Sequence, residues 1–297
     1  MLSVAWTPGA FSHQYLHPLT ERQSRTRTTI DVRHDMRNAT NRKLARAKSL
    51  IEKSQALILA GGLGTRLRAA FDSGPKSMAP VGERHFLEYL LLWLRSAGIR
   101  DLILCVGYKK DQIQDWLGDG SNWGLHVRYS EEKKLLGTAG ALKHAERMIS
   151  MPLCLVVNGD SFLNVDLREM YRFHLMHRAL ATIAVARVRN SARYGTVELD
   201  RKERIMTFRE KKKGTIGKAA SASPGRFQLI NGGIYLLEKP FFDVIPPRKA
   251  MSLEKEIFPS LVGKDLYGFV TRGYFIDIGV PEDFARAQTE LHKRFCA

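Results

Sequence analysis

Two neighbouring segments carry the residue types that bind phosphate, the glycine-rich run Leu57–Leu67 and the dipeptide Pro75-Lys76. The apolar start of the first segment predicts a buried strand, and its glycines predict a loop whose backbone N–H groups can face phosphate oxygens. Arg66 and Lys76 add two cations beside that loop. The combination indicates a site for a nucleoside triphosphate.

Two better-known phosphate loops do not fit this sequence. A Walker-type loop requires Lys and then Ser or Thr after its last glycine, whereas Thr65-Arg66 follows Gly64. A dinucleotide fingerprint that begins at Gly62 requires a third glycine at the position of Leu67. A third type of phosphate loop remains, and an ordinary strand-to-helix turn fits the glycines equally well.

Two carboxylates have positions that suit a metal ion. Asp160 follows the apolar run Leu153–Val157, and Asp277 lies inside the otherwise apolar segment Phe275–Gly279. A buried carboxylate requires a cation or hydrogen-bond donors to offset its desolvation. Because Mg²⁺ prefers a few carboxylates together with substrate phosphates, this pair would suit a magnesium-bound triphosphate. Taken singly, each residue also fits the role of a turn or cap.

Three further segments suit a sugar phosphate or a nucleoside. Glu210-Lys211 ends one strand candidate, and Asn231-Gly232-Gly233 opens another. Lysine is a compact phosphate-binding charge, and asparagine beside glycine can bind sugar hydroxyls while the backbone approaches the ligand. Gly137-Thr138-Ala139-Gly140 stands at a predicted helix start, where it could approach a base or ribose. A solvated lysine run at 211–213 and a plain helix entry at 137 are the alternatives.

The composition is that of a globular protein. The 297 residues are enough for one large α/β domain or two small ones, and the hydrophobic content of 44% and charged content of 26% are ordinary. Cys105, Cys154 and Cys296 lack metal-ligand spacing, which predicts thiols in a reducing compartment. Because no apolar run reaches the length of a membrane span and no signal core is evident, we expect a cytoplasmic protein that is not membrane-bound.

The formal net charge of +17 does not by itself indicate a nucleic-acid-binding protein. Ten Lys or Arg and four Asp or Glu residues give residues 1–53 a net charge of +6, and the remaining residues carry +11. An excess spread along the chain in this way fits a solvated basic surface, or a cleft for acidic nucleotides and sugar phosphates. Nucleic-acid binding by the tail is the weaker alternative, because aromatic residues are not interleaved with its charges.

The first 53 residues differ from the rest, because prolines and a polar Ser/Thr/Arg stretch interrupt any periodicity. We expect a mostly disordered basic extension over 1–53, with a short helix from Asn41 to Glu52, and one folded domain over 54–297. An organelle transit peptide is an alternative that Glu21, Asp31 and Asp35 weaken, because such peptides are poor in acidic residues. Another alternative is that translation starts downstream of Met1.

From Gln55 the chain alternates strand and helix patterns, which predicts an α/β fold with a mainly parallel sheet and helices on both faces. The predicted strands are Ala56–Ala60, Leu102–Val106, His126–Tyr129, Leu153–Val157 and Thr182–Val188. The predicted helices are Phe86–Ala97, Lys110–Leu117, Ala139–Ile149 and Leu167–His177. Ligands of such folds bind at the carboxyl ends of the strands, where the glycine loop and Asp160 fall.

The second half predicts a smaller α+β portion. Its predicted elements are a hairpin of Thr196–Leu199 and Ile205–Phe208, a flexible stretch over Lys211–Arg226, strands at Gly233–Leu237, Leu266–Val270 and Tyr274–Ile278, a helix near Leu253–Val262 and a helix from Pro281. Pro281 suits the first turn of a helix, because its missing N–H is not needed there.

Seven spaced motifs run in order along residues 55–291. They are Leu59-Ala60-Gly61-Gly62-Leu63-Gly64-Thr65-Arg66 with Pro75-Lys76, Leu136-Gly137-Thr138-Ala139-Gly140, Asn158-Gly159-Asp160, Tyr194-Gly195, Phe208-Arg209-Glu210-Lys211, Asn231-Gly232-Gly233 and Phe275-Ile276-Asp277-Ile278-Gly279. Together they resemble the sugar-1-phosphate nucleotidyltransferase family. The resemblance implies a Rossmann-like sheet with a smaller sugar-binding portion.

Within that family the chain resembles most the guanylyltransferases that act on D-glycero-D-manno-heptose 1-phosphate, which make nucleotide sugars for lipopolysaccharide or capsule. This resemblance rests on Pro75–Val81, Phe86–Tyr89, Val106–Lys109, Arg193–Val197 and Phe275–Asp283. Ala139 stands where many relatives carry glycine and Ser77 where proline is usual, and residues 214–224 and the N-terminal extension are additional. The alternatives are another sugar-1-phosphate nucleotidyltransferase, such as a mannose-1-phosphate guanylyltransferase, and a catalytically silent nucleotide-sugar sensor.

The resemblance implies that the sugar-phosphate oxygen attacks the α-phosphorus of a nucleoside triphosphate and releases pyrophosphate. A phosphate monoester with a second pKa near ~6 is already largely dianionic at neutral pH, so the attack needs no general base. Positioning and charge neutralisation can then supply most of the catalysis. The implied cofactor is Mg²⁺, the implied ligands are the triphosphate and the sugar 1-phosphate, and a homo-oligomer is compatible with the sequence.

The resemblance also implies roles for particular residues. Arg66 is assigned to the leaving pyrophosphate, Lys76 to the triphosphate and Lys211 to the sugar phosphate. Asp160 and Asp277 are assigned to Mg²⁺, and Asp160 is also assigned a catalytic role. The residues assigned to the nucleotide are Ala60, Gly61, Gly62, Gly64, Thr65, Gly137 and Thr138. The residues assigned to the sugar are Asn158, Tyr194, Gly195, Glu210, Asn231, Gly232 and Glu254, of which Glu254 also fits a plain helix start.

Overall fold

A computed structural model describes residues 49–67, 70–189, 194–210 and 227–296 of the chain. The strands are β1 (Gln55–Leu59), β2 (Pro80–Val81), β3 (Arg84–His85), β4 (Asp101–Val106), β5 (His126–Glu131), β6 (Leu153–Asn158), β7 (Ser161–Leu163), β8 (Ala181–Val188), β9 (Thr196–Leu199), β10 (Ile205–Arg209), β11 (Gln228–Glu238), β12 (Leu266–Thr271) and β13 (Phe275–Asp277). The α-helices are α1 (Phe86–Ser96), α2 (Lys110–Leu117), α3 (Gly137–Ala145), α4 (Leu167–His177), α5 (Phe258–Leu261) and α6 (Pro281–Cys296).

Nine of these strands form one mainly parallel sheet, in which β5, β4, β1, β6, β11, β8 and β12 lie side by side. β1 is parallel to both β4 and β6, and β4 is parallel to β5. β11 runs antiparallel to β6 and β8, and β12 is parallel to β8. β9 and β10 form a hairpin that joins the sheet at Ile230 of β11. The carboxyl ends of β1, β4 and β6 therefore meet at one edge, which is where ligands of such sheets bind.

Helices cover both faces of the sheet. One apolar cluster packs α1, α2, α4 and α6 against it, and a second packs α3 and the segment 241–261 against the other face. Helical crossovers of this kind are what parallel neighbouring strands require. The predicted α/β class, with helices on both faces, is confirmed. Cys105 and Cys154 are free thiols buried inside the sheet.

Local sequence explains where the helices begin and end. In α1, Phe86, Leu90 and Leu94 are buried at helical spacing, and Gly98 follows the helix with a φ of 96° that favours glycine. In α4, the Asp166 carboxylate accepts hydrogen bonds from two backbone N–H groups of the first turn. Such a cap satisfies donors that have no partner within the helix.

Most of the predicted element bounds agree closely with the observed ones. α2, α4 and β9 have the predicted bounds, and β1, β4, β6 and β8 differ by one residue at one or both ends. The structure corrects the bounds or the type of three predicted elements. The helix predicted over Ala139–Ile149 begins at Gly137 and ends at Ala145, followed by a 3-10 turn, and the strand predicted at Gly233–Leu237 extends over Gln228–Glu238. The helix predicted near Leu253–Val262 is a π-helical turn, Leu253–Ile257, followed by α5.

The predicted boundary at residue 53 lies too late. Residues 49–53 are helical, and Ile51 is buried in the core, so the folded part begins before Ser54. The rest of the predicted extension, up to residue 48, and the stretch 211–226 lie outside the described residues. Within the described ranges, no helix combines the length and the apolar character that crossing a bilayer requires.

Candidate active site

Three charged side chains from distant parts of the chain meet at the carboxyl-terminal edge of the sheet. Lys76 Nζ lies 2.6 Å from Asp160 Oδ2 and 3.3 Å from Asp277 Oδ1. Lys76 is separated from these partners by 84 and 201 residues along the chain. We call these three residues the charged cluster. Folding, and not sequence proximity, brings them together.

Strand pairing brings the two carboxylates side by side. β13 runs antiparallel to β7 with Asp277 opposite Ser161, and the Ile278 N–H donates to the Asp160 carbonyl oxygen at 3.0 Å. Ile276 and Ile278 are buried in the core on either side of Asp277. The apolar neighbours thus anchor the strand, and the carboxylate between them projects from the opposite side.

Electrostatics hold the cluster together. Burial opposes the charge of Lys76, but attraction to Asp160 and Asp277 outweighs it and raises the pKa of the ammonium. Burial raises the pKa of the Asp277 carboxyl; Lys76 works against this, the charge of Asp160 adds to it, and the Gly279 N–H, donating at 2.6 Å, opposes it. The Asp160 side chain is 42% exposed against 10% for Lys76. A charged lysine therefore holds two carboxylates, of which Asp277 is 26% exposed and Asp160 is the one more open to a ligand.

Two glycines flank Lys76 because a side chain would not fit beside it. Gly64 has a φ of 59°, and a Cβ there would lie 3.1 Å from Lys76 Cβ. A Cβ on Gly279 would lie 3.0 Å from Lys76 Nζ and 2.8 Å from Asp277 Oδ1. Both glycines therefore have a steric reason that is separate from any role in phosphate binding.

The donor chemistry of the cluster fits Mg²⁺. Groups of three or more Asp, Glu, His or Cys residues able to hold a metal are absent from the part of the chain described here. Mg²⁺ is usually bound through one or two carboxylates plus substrate phosphates, so a pair is sufficient. Asp160 and Asp277 are the residues that would hold the ion.

The glycine loop leaves β1 beside this cluster. The Ala60 N–H donates to the Cys105 carbonyl oxygen at 2.9 Å, which ties the start of the loop to β4. A Cβ on Gly62 would meet nothing within 4 Å, so the backbone is open there. Thr65 and Arg66 are exposed in the turn that follows. A shallow hollow beside the loop is lined by Leu63, Gly64, Leu67, Phe71, Asp72, Gly74, Lys76 and Tyr108.

One polar residue at this edge, Glu132, belongs to none of the sequence motifs. It follows β5, its N–H donates to the Val106 carbonyl oxygen, and its Oε2 accepts from the Leu136 N–H at 2.9 Å. Its Oε1 lies 2.8 Å from the point a Gly61 Cβ would occupy. Burial raises the pKa of the Glu132 carboxyl, although the Leu136 N–H works in the opposite direction. Its place directly after a strand end was the signal that could have identified it.

Part of the set assigned to the sugar surrounds one buried hydroxyl. Tyr235 Oη lies 3.0 Å from Asn231 Nδ2, 3.5 Å from Asn158 Nδ2 and 3.5 Å from Glu254 Oε1. We call these four residues the tyrosine network. Asn158 Oδ1 is buried and has no hydrogen-bond partner among the described residues. Buried polar atoms without a partner are uncommon in folded proteins.

Other residues assigned to the sugar lie next to this network. The Asn231 N–H donates to the Gly195 carbonyl oxygen at 3.1 Å, and a Cβ on Gly195 would lie 2.7 Å from Glu210 Oε2. A Cβ on Gly232 would lie 2.7 Å from the Ala184 carbonyl oxygen, so that glycine is required by packing within the sheet. Asn231, Gly195 and Glu210 therefore form one group.

Tyr194 has a different setting from the other sugar-assigned residues. Its hydroxyl donates to Asp283 Oδ2 at 3.1 Å, and its ring packs edge-on against Phe275 at 5.3 Å between centroids. These contacts attach it to the start of α6 and to β13. The structure thus places Tyr194 beside the strand that carries Asp277.

The segment assigned to the nucleoside at the start of α3 contacts the second half of the chain. A Cβ on Gly137 would lie 2.4 Å from the Met251 carbonyl oxygen, and the φ of Gly137 is 70°. Thr138 Oγ1 accepts from the Leu253 N–H at 2.8 Å and donates to Glu254 Oε2 at 2.8 Å. Sterics therefore require glycine at position 137. Thr138 and Glu254, which were predicted to bind different substrates, are hydrogen-bonded to each other.

The predicted site residues thus fall into groups. The structure brings Lys76, Asp160 and Asp277 together, and it joins Asn158, Asn231, Glu254 and Thr138 through hydrogen bonds. Arg66 is exposed and forms no ion pair with any described residue. Lys211 lies outside the described residues. The individual roles of all these residues stay predictions.

Comparisons with known proteins show what this chain is similar to. The family model described as Nucleotidyl transferase matches residues 55–294. The chain is 37% identical over 238 residues to D-glycero-alpha-D-manno-heptose 1-phosphate guanylyltransferase of Aneurinibacillus thermoaerophilus, covering 80% of this chain and 98% of that protein. It is 36% identical to mannose-1-phosphate guanylyltransferase of Mycobacterium tuberculosis, covering 80% of this chain and 64% of that protein.

A solved structure is also similar. The crystal structure of HddC from Yersinia pseudotuberculosis complexed with GMP-PN matches with a TM-score of 0.69 and 32% identity, over 80% of this chain and 99% of that one. The match of the family model covers most of the chain and includes every residue of the charged cluster. The chain therefore belongs to the nucleotidyl transferase family, as a sugar-1-phosphate nucleotidyltransferase.

Proposed function

We propose that the protein transfers a guanylyl group from GTP to a sugar 1-phosphate, and that the sugar is D-glycero-D-manno-heptose 1-phosphate. The observation that carries the proposal is the charged cluster, in which Lys76 bridges Asp160 and Asp277 beside the glycine loop. Similarity over 98% of the length of a heptose 1-phosphate guanylyltransferase supports the choice of substrate.

The chemistry requires charge neutralisation and alignment more than proton transfer. The dianionic phosphate of the sugar supplies the oxygen that forms a bond to the α-phosphorus, and the bond from that phosphorus to the β-phosphate oxygen breaks as pyrophosphate leaves. Mg²⁺ held by Asp160 and Asp277 would screen the phosphate charges. Lys76, already charged at this point, and Arg66, exposed in the adjacent turn, supply the cations for the triphosphate and for pyrophosphate.

Glu132 supports guanine as the base. Guanine presents N1–H and N2–H donors side by side, and a carboxylate with two acceptor oxygens can accept from such a pair. Adenine has no equivalent pair of donors at that edge, since its N1 is an acceptor. Glu132 stands at the glycine loop with Oε1 directed at Gly61, where the base of a bound triphosphate would be close. We therefore assign base recognition to Glu132.

A substrate panel tests the proposal. Purified protein is incubated with GTP, UTP, CTP, dTTP or ATP and with heptose 1-phosphate, mannose 1-phosphate or glucose 1-phosphate in the presence of Mg²⁺, and pyrophosphate release is measured. The expected result is that GTP with heptose 1-phosphate gives the highest kcat/KM. Preference for mannose 1-phosphate would overturn the assignment of the sugar, and preference for another triphosphate would overturn the assignment of the base. No pyrophosphate release from any pair would overturn the whole proposal.

A catalytically silent nucleotide-sugar sensor is the second candidate, and it predicts tight binding of a nucleotide sugar without pyrophosphate release. Retention of Lys76, Asp160 and Asp277 in one cluster favours the enzyme, because a sensor has no need of them. We also propose that the protein works in the cytoplasm, where nucleoside triphosphates are available, and that its product serves lipopolysaccharide or capsule synthesis. Size-exclusion chromatography with light scattering tests for a homo-oligomer.

A further inference from the structure

The tyrosine network has an unusual centre, a phenol that lies wholly inside the protein. The Tyr235 side chain is 0% exposed, and its ring packs against Phe258 at 5.0 Å between centroids. Its hydroxyl is the only polar part of the side chain and lies among Asn158, Asn231 and Glu254. These three partners come from the end of β6, from β11 and from the π-helical turn, so one hydroxyl links three separate elements.

The hydroxyl has its full complement of hydrogen bonds. A phenol can donate one bond and accept two. Tyr235 donates to Glu254 Oε1 and accepts from the Nδ2 groups of Asn158 and Asn231. Burial, followed by the charge of Glu254, raises the pKa of the Tyr235 hydroxyl well above its ordinary value, so the proton that is donated to Glu254 stays in place at neutral pH.

An irregularity in β11 gives Asn231 its orientation. The pairing of β11 with β8 shifts register between Asn231 and Tyr235, and Gly233 within this stretch has a φ of 75°. The Gly233 N–H donates to Asn231 Oδ1 at 3.0 Å. Because its oxygen is occupied in this way, the Asn231 amide presents Nδ2 to the tyrosine.

The bond to Tyr235 also fixes the direction of Asn158. With Nδ2 on the tyrosine, the Asn158 Oδ1 is the free end of the amide, and it is buried with no hydrogen-bond partner among the described residues. A buried acceptor without a donor costs free energy unless a ligand supplies one. The network therefore leaves one oriented acceptor, Asn158 Oδ1. Its residue precedes Gly159, which is followed by Asp160 of the charged cluster.

We propose that the Tyr235 hydroxyl is a positioning group for sugar recognition, which orients the Asn158 amide so that its oxygen accepts from a hydroxyl of the sugar ring. This inference rests on the proposed function and specifies how its sugar is recognised. Tyr235 is too deeply buried to be a catalytic residue, since its hydroxyl is occupied by protein partners. It acts through Asn158, and through Glu254, whose other oxygen accepts from Thr138.

The decisive variant is Tyr235→Phe, which removes the hydroxyl and keeps the ring. The matched control is Tyr171→Phe, because Tyr171 is equally buried and its hydroxyl donates to Ser54 Oγ at 2.7 Å, at the amino-terminal end of β1. We expect Tyr235→Phe to lower kcat/KM for the sugar 1-phosphate by about tenfold and to leave the KM for GTP within about twofold. The control is expected to lower the melting temperature and to change neither constant.

A double-mutant cycle separates positioning from general destabilisation. If Tyr235 acts through Asn158, Tyr235→Phe combined with Asn158→Ala loses no more sugar selectivity than Asn158→Ala alone. Selectivity is the ratio of kcat/KM for heptose 1-phosphate to that for analogues that lack the 2-, 3- or 4-hydroxyl of the ring, because mannose 1-phosphate carries the same ring hydroxyls and cannot report on this contact. Additive losses in the cycle, an equal rise of both KM values, or unchanged sugar kinetics in Tyr235→Phe would each overturn the proposal.

Glu254→Gln supplies a second test that does not depend on the folding of Tyr235→Phe. The glutamine oxygen can replace the carboxylate oxygen that Thr138 and Ser252 contact, which directs its amide N–H at Tyr235. Tyr235 would then face three donors and no acceptor, so the network must rearrange and sugar selectivity is expected to fall. Wild-type selectivity in a folded Glu254→Gln protein contradicts the proposal.

Binding measurements keep this inference distinguishable from the proposed function. Isothermal titration with GDP-mannose and with GTP is performed on the wild type and on Tyr235→Phe. If the wild type turns over no sugar phosphate, the enzymatic proposal fails, yet selective loss of GDP-mannose affinity in the variant still supports positioning by Tyr235. Equal affinities in both proteins for both ligands overturn the inference alone, and a wild type that binds neither ligand overturns both.

Discussion

The charged cluster and the tyrosine network lie at the same edge of the sheet and are built on different principles. In the charged cluster, one ammonium holds two carboxylates by attraction, and the Asp160 side chain is 42% exposed. In the tyrosine network, one neutral hydroxyl joins two amides and a carboxylate by directional bonds inside the core. Charge is suited to binding phosphates of any orientation, whereas directional bonds suit a ligand whose hydroxyls differ only in position.

The two regions are joined through neighbouring residues of one loop. Asn158 of the tyrosine network and Asp160 of the charged cluster are separated by Gly159, and a Cβ on Gly159 would lie 2.7 Å from the Leu59 carbonyl oxygen. The loop is thereby pressed against the start of the glycine loop. A change in either region can therefore displace the other through this loop.

The largest expected effect is the loss of either carboxylate from the charged cluster. Asp160→Asn or Asp277→Asn should lower kcat by about 10³-fold or more, because the metal loses a charged ligand and Lys76 loses a partner. Circular dichroism is expected to show an intact fold. Asp101→Asn is the matched control, since Asp101 begins β4 at the opposite edge of the sheet and pairs with Arg128. Wild-type turnover in either site variant would remove the metal assignment.

Replacement of the lysine should have the next largest effect. Lys76→Met is expected to lower kcat by about 10²- to 10³-fold, because the triphosphate loses a fixed cation. It also leaves Asp160 and Asp277 facing each other without a counter-charge, so titration with Mn²⁺, followed by electron paramagnetic resonance, should show tighter binding than in the wild type. Lys143→Met is the control, because Lys143 is largely buried and donates to the Phe242 carbonyl oxygen away from the cluster. Weaker Mn²⁺ binding would contradict this account of the cluster.

A base-recognition variant tests whether the nucleotide side also contains a directional element. Glu132→Gln should raise the KM for GTP by about 10- to 100-fold, because an amide cannot accept from both guanine donors. Glu131→Gln is a control at the next residue, where the carboxylate pairs on the surface with Lys110 and Gln114. Unchanged use of GTP by Glu132→Gln would exclude this carboxylate as the base-recognition group.

The same variant has a predicted effect on stability with a definite sign. Burial raises the pKa of the Glu132 carboxyl above its ordinary value of 4.5, so ionising it costs stability in the folded state. That cost is absent below pH 4.5. It grows as the pH rises from 4.5 to the raised pKa of the folded state, and it is constant above that pKa. Glu132→Gln should therefore be more stable than the wild type at neutral pH and equal to it in acid, as measured by urea unfolding across this range. A constant difference at all pH values would contradict the assignment.

The smallest expected effect lies outside both regions. Asp166→Ala removes the cap of α4 and should lower the free energy of unfolding by about 1 kcal/mol, with no change in kcat or in either KM. Asp166→Asn keeps a capping oxygen and should be close to the wild type in stability. If Asp166→Ala changed sugar selectivity, the kinetic effects expected at the two site regions could not be assigned to those regions alone.

The sequence predicted the parts of the fold that depend on local pattern. α2 and α4 have the predicted bounds, because their apolar residues recur at helical spacing and their ends carry recognisable signals. β11 is longer than predicted, since its residues before Gly233 are held by pairing with β8 and β9, which lie far away in sequence. The π-helical turn at Leu253–Ile257 carries no local signal that distinguishes it from an α-helix.

Site residues divide in the same way. Motifs identified Lys76, Asp160 and Asp277 as candidates, because charged residues inside or directly after apolar runs are uncommon without a reason. Glu132 and Tyr235 were missed, since a glutamate in a loop and a tyrosine in a strand are ordinary in sequence. Their importance arises from what surrounds them once the chain is folded.

The amino-acid sequence by itself determined the alternation of strands and helices, the glycine loop and the identity of the charged groups, because these follow from residue type and short-range spacing. Only the tertiary structure decided that Lys76 contacts carboxylates 84 and 201 residues away, and that one buried hydroxyl joins β6, β11 and the π-helical turn. The physical reason is that hydrogen bonds and ion pairs act over a few ångströms, and the strand pairings that bring such distant residues within this range are set by the packing of the whole sheet.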